Sequence, residues 1–136
     1  MTAKEYLSQA RSIRIRFETM AEQLAVLKSA AEYISPRLSE APASSRNPHK
    51  NEDAMIRVVE MEERIAAARE KLIEVSEVIN KVADPTQQAI LVKRYLRNKT
   101  WAEISDEVHY SLARVYEIHR DALRSVEAVG EWHSRT

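Results

Sequence analysis

The chain has 136 residues, with 21 basic and 21 acidic side chains, a formal net charge of zero, a single glycine and no cysteine. That length allows one ordinary domain, or one small domain with an elongated helical appendage, and argues against two compact cores. The missing cysteines remove disulfides and thiolate metal sites, the lone glycine argues against Gly-rich phosphate loops, and the balanced charge leaves any affinity for nucleic acid to local placement of cations.

With 44% hydrophobic and 31% charged residues, the composition predicts an all-α fold. Thr2 and Glu5 fit a capping box, so the first helix is predicted to begin there. Its apolar positions Tyr6, Ala10, Ile13, Phe17, Met20, Leu24, Leu27, Ala31 and Ile34 advance by fours and threes, which is a coiled-coil-like seam. Ser35-Pro36 is expected to close it. A linker at about residues 35–51 follows, holding Pro36, Pro42 and Pro48 without apolar period, and Asn51 is expected to cap a second helix. That helix carries a matching seam: Val58, Met61, Ile65, Ala68, Leu72, Val75, Ile79 and Val82. Two such seams predict a long antiparallel hairpin, each arm about 45 Å at 1.5 Å per residue. A second apolar line on helix two, Val59, Ala66 and Ile73, asks for a further partner, either a second copy of the chain or the chain's own C-terminal part.

At Asp84-Pro85, a cap followed by proline at the first helical position, the heptad gives way to three short units: Pro85 to Arg97, Thr100 to Val108 and Ser111 to about Val129, closed by Gly130. Thr100 with Glu103 makes a second capping box, and Ser111 caps the last helix. Three helices with short turns and the longest last predict a helix-turn-helix. The chain is thus divided into a helical hairpin, residues 1–83, and a helix-turn-helix domain, residues 84–136. The expected C-terminal core is Ile90, Leu91, Tyr95, Trp101, Ile104, Val108, Val115, Ile118 and Leu123. Leu112, Ala113, Arg114, Tyr116, Glu117 and Arg120 are left facing outward, where they would read DNA bases in the major groove. Lys93, Arg97, Lys99, Thr100, Ser111 and Arg124 are the expected phosphate contacts, with Arg94 in the same basic run. The same patterns also describe a solvated helix end and a surface ladder of ion pairs, and the sequence leaves both readings open.

The stretches Ile90-Leu91-Val92-Lys93-Arg94-Tyr95, Thr100-Trp101-Ala102-Glu103-Ile104 and Ser111 to Ile118, ending Ala122-Leu123, resemble region four of bacterial sigma factors over roughly the last 50 residues. The whole chain, with its Pro48-His49 element, is similar to phage and prophage regulators of Gram-positive bacteria of the RinA and ArpU late-gene type. The resemblance implies control of phage transcription, double-stranded DNA as ligand and RNA polymerase as a second partner. Two departures stand out: Leu112 and Ala113 occupy positions usually polar, which implies a different DNA site, and His109 stands where a turn glycine is usual, which points to a left-handed backbone.

His49, His109, His119 and His133 are scattered, with no carboxylate at ligand spacing, so no metal, cofactor, catalytic residue or small-molecule substrate is expected, and the chain is read as a non-enzyme. With no segment near the roughly 20 apolar residues that span a bilayer, and no leader-like N-terminus, a soluble cytoplasmic protein is expected. A homodimer is the expected assembly. The rival class is a protein-interaction module that binds RNA polymerase or another regulator without reading DNA.

Overall fold

The computed structural model describes residues 1–40, 48–130 and 132, with side chains in 1–30, 52–130 and 132. All regular structure among them is helical: α1 (Ala3–Glu40), α2 (Pro48–Asn80), α3 (Pro85–Leu91) continued by a π-helical turn (Val92–Leu96), α4 (Trp101–Val108) and α5 (Leu112–Val129). The start of α1 is the anticipated capping box, with Thr2 N donating to Glu5 Oε2 at 3.0 Å and Glu5 N to Thr2 Oγ1 at 3.2 Å.

The hairpin ends differ from expectation. α1 does not close at Ser35-Pro36 but runs to Glu40, because a proline in a long helix removes one backbone hydrogen bond locally and need not stop the helix. α2 begins at Pro48 rather than after Asn51; the fixed φ of proline suits a first helical position, where its missing N–H has no helical partner anyway. Of the expected linker at 35–51, residues 41–47 lie outside the described residues.

The chain forms two compact units, Met1–Ile15 with Glu70–Thr136, and Arg16–Arg69. In the second unit the described part of the seam follows its spacing: Val58 and Ile65 are buried, Phe17, Met20, Leu24, Leu27 and Met61 are half-buried, and Lys28 pairs with Glu62 across the hairpin at 3.3 Å, while the side chains of Ala31 and Ile34 lie outside the described residues.

In the first unit the base of the hairpin and the C-terminal helices share one core. Ala3, Tyr6, Leu7 and Ala10 of α1, Val75, Val78 and Ile79 at the end of α2 and Val82 just past it pack with Leu91, Tyr95, Ala122, Val126 and Trp132. Compactness therefore does not follow the boundary at residue 84, because the hairpin base and the last helix each lack a complete core alone. Polar contacts tie the same parts together. Ala3 N donates to Glu127 Oε1 at 2.7 Å, and Gln88 Nε2 donates to Asn80 O at 3.1 Å, at the end of α2, and to Val82 O at 2.6 Å, just past it. Ile73, the residue of the second apolar line of α2 that lies in this unit, takes no part in this core. Val59 and Ile73 remain 48% and 46% exposed, and Ala66 is exposed as well.

Candidate nucleic-acid interface

Local sequence sets each turn of the C-terminal helices. Asp84 Oδ1 accepts from Thr86 N at 2.8 Å and Gln87 N at 3.0 Å, with Pro85 at the first position of α3. The chain then widens into the π-helical turn, closed by Arg97 N donating to Val92 O at 2.9 Å, and reverses through Asn98 in the left-handed region, φ 54°. Thr100 and Glu103 form the expected capping box on α4. His109 ends α4 at φ 60° and ψ 36°, the left-handed geometry that its position implied. Ser111 Oγ accepts from Arg114 N at 3.2 Å and caps α5, and Gly130, φ 69°, ends it.

Ile90, Ile104, Val115 and Ile118 close a small core, with Trp101 and Val108 packed at its edge. Trp101 is thus half-buried rather than central. The Arg94 guanidinium lies 4.4 Å from its ring centroid, and Tyr116 and His119 meet its ring edge-on. Leu123 is likewise half-buried, against the larger core.

With the opposite side of α5 held on these cores, Leu112, Ala113, Arg114, Tyr116, Glu117 and Arg120 are all exposed, Leu112 at 43% and Tyr116 at 49%. Arg114 Nη1 pairs with Glu117 Oε2 at 3.1 Å. The expected phosphate contacts are less free. Lys93 and Lys99 converge on Glu107 Oε1 at 3.3 and 2.8 Å, and these bonds, with Lys99 first, hold the Glu107 carboxyl below its ordinary range. Arg97 is exposed just past the π-helical turn, the Thr100 and Ser111 hydroxyls accept as helix caps, and Arg124 pairs loosely with Asp121 at 3.8 Å.

Several residues of consequence escaped the sequence reading. His119 is 9% exposed, with Nε2 2.7 Å from the Tyr95 hydroxyl. Burial first, then the charges of Lys4 and Arg94, push its pKa from 6.5 to about 4, so it is neutral at physiological pH. The helical period could have found it, since His119 shares one stripe of α5 with Val115, Ala122 and Val126. Trp132 is fully buried, stacked on Tyr6 at 5.1 Å with Nε1 donating to Val126 O at 3.0 Å. Lying beyond the last periodic segment, it carried no signal. Among the described residues, no group of three His, Asp or Glu is placed to hold a metal ion, and no helix is long and apolar enough to cross a membrane.

Three short capped helices, with the last presenting one face outward, have the arrangement of a helix-turn-helix. Residues 84–128 match the family model of sigma-70, region 4, and that segment is a sigma-70 region 4-like helix-turn-helix. Such domains bind DNA, contact RNA polymerase and are regulatory rather than catalytic. Comparison with curated proteins and with solved structures gives no match.

Proposed function

We propose that this chain regulates phage genes in the cytoplasm, as a homodimer that reads a promoter-proximal DNA site with α5 and contacts RNA polymerase. The observation that supports it is the exposed face of α5. Arg114, Tyr116, Glu117 and Arg120 project beside Leu112 and Ala113 from the first half of a helix whose other side is buried. Arg can donate two hydrogen bonds to guanine and Glu can accept from cytosine, while Leu and Ala can meet a thymine methyl group. Lys93, Arg97, Lys99, Thr100, Ser111 and Arg124 would hold phosphates beside that face, positioning it without reading sequence.

The test compares two arginines in a DNA titration at several salt concentrations. Arg114→Ala should cost on the order of 1–3 kcal/mol on the specific site and leave random duplex nearly unchanged. Arg97→Ala should weaken both alike and lower the salt slope by about one unit. Equal losses from both variants on every sequence would remove α5 as a base reader.

The second reading, an interaction module, draws support from the same face. Leu112 and Tyr116, one helical turn apart on α5, are both more than two-fifths exposed, and exposed aromatic and aliphatic side chains are what a protein interface uses. Polymerase retained by the chain without DNA, together with no specific shift on promoter fragments, would favour that reading.

A further inference from the structure

A cleft of about 410 Å³ lies on the compact unit, between the first turns of α1 and the C-terminal helices. One wall is a single stripe of α1. Lys4, Ser8, Arg11 and Ser12 recur at the spacing of one helix face, next to the buried stripe Ala3, Tyr6, Leu7 and Ala10. The facing wall is cationic and aromatic, with Arg94 over Trp101, and Tyr116 and His119 beside them. Among the described residues, no carboxylate lines the cleft.

Three cations are therefore gathered without an acid to balance them. The Arg94 guanidinium is depressed from its ordinary pKa by burial and then by the charge of Arg11, which places like charges close together. Arg11 Nε is buried and makes no hydrogen bond. A buried guanidinium N–H without an acceptor is costly, and so is unbalanced like charge; an anion in the cleft relieves both.

We propose that this cleft binds a small phosphorylated molecule with a planar ring, of the nucleotide class. Lys4, Arg11 and Arg94 would hold the phosphate, and Trp101 and Tyr116 would flank the ring. A phosphate monoester carries about two negative charges at neutral pH, which suits three cations better than the single charge of a carboxylate. The volume lies within the roughly 300–1,000 Å³ of small-molecule sites, too large for bare phosphate, and the aromatic walls supply apolar contact for the remainder. Side-chain cations take the part that backbone N–H groups play in a Gly-rich loop. A duplex phosphate approaching α4 and α5 would leave the Ser8 and Ser12 hydroxyls on α1 without a role, so a free ligand accounts for more of the cleft. Tyr116 belongs to both this cleft and the proposed base-reading face, but the inference is tested without DNA and so can fail or hold independently of the DNA-binding proposal.

The experiment is calorimetric titration of the full chain, without DNA, with the four ribonucleoside monophosphates, the corresponding nucleosides and inorganic phosphate. At least one monophosphate should bind, with its nucleoside and phosphate alone each weaker by about tenfold or more. Arg11→Gln and Lys4→Gln should each weaken that monophosphate by about tenfold, the loss of one charge-assisted hydrogen bond, with an unchanged helical signal. The bound phosphate should also raise the NMR-titrated pKa of the His119 ring by offsetting Lys4 and Arg94. Lys4 is exposed, so Lys4→Gln carries the test if Arg11→Gln fails to fold. The proposal is overturned if no monophosphate binds the folded chain at millimolar concentration, if nucleoside binds as well as monophosphate, or if Lys4→Gln leaves binding unchanged. It is also overturned if the variants lose affinity only for duplex DNA, which would make the cleft a seat for the DNA backbone.

Discussion

His119 couples folding to pH. An unfolded histidine takes up a proton near pH 6.5, whereas in the folded chain burial, with Lys4 and Arg94, delays protonation to about pH 4. Below pH 6.5 the unfolded state binds more protons than the folded one, so the contribution is intact above that pH and is lost as pH falls toward 4. Thermal melts from neutral pH to about pH 4 should show the native chain losing on the order of 3 kcal/mol more than His119→Phe, and parallel curves would refute the buried neutral imidazole. Glu107 makes the opposite kind of prediction, about binding rather than folding. It occupies Lys93 and Lys99 together, at 3.3 and 2.8 Å. Glu107→Gln should free both ammonium groups and tighten binding to specific and random DNA alike, with a steeper salt dependence. Unchanged affinity in an anisotropy titration would show that these lysines do not meet phosphate.

At the scale of elements, the caps were legible because a cap is a local device: Thr2 with Glu5, Asp84 with Pro85, Thr100 with Glu103, and Ser111 each bond within three residues of themselves. Asp84→Ala removes two hydrogen bonds from the start of α3, far from any proposed contact. It should cost about 1 kcal/mol by denaturant unfolding and leave the salt slope of DNA binding unchanged. The π-helical turn at Val92–Leu96 was not legible. Tyr95 enters the core as the sequence predicts, but the extra residue also lays Arg94 over Trp101 at 4.4 Å, a placement that no spacing rule gives. The outward face of α5 was legible, since Val115 and Ile118 fix the inward one.

At the scale of the molecule, Trp132 joins the chain's beginning to its end by stacking on Tyr6 at 5.1 Å. Trp132→Ala should cost roughly 3–5 kcal/mol and loosen Ala3 to Ala10 along with the last turn of α5, seen as faster amide exchange in both. Loss confined to the C-terminal end would show that the shared core is not cooperative. The exposed Val59 and Ile73 support assembly: light scattering on the 15.7 kDa chain should give twice that mass, and Val59→Glu with Ile73→Glu should return it to a monomer with its helicity intact. A native monomer at micromolar concentration would refute the dimer.

The sequence alone determined the presence of the helices, the caps at Thr2, Asp84, Thr100 and Ser111, and the helix-turn-helix order, because each rests on interactions within a few residues or on one face of one helix; it misplaced the end of α1 and the start of α2. It did not determine that the base of the hairpin completes the core of the C-terminal helices, that His119 and Trp132 are buried, or that Lys4, Arg11 and Arg94 line one cleft. Tyr6 and Trp132, or Arg11 and Arg94, stand far apart in the chain, and their meeting depends on which apolar stripe of each helix finds a partner. Only the packed structure makes that choice. Tyr6 and Val75 gained a partner in the C-terminal core while Ile73 did not, although all three lie on apolar lines of their helices.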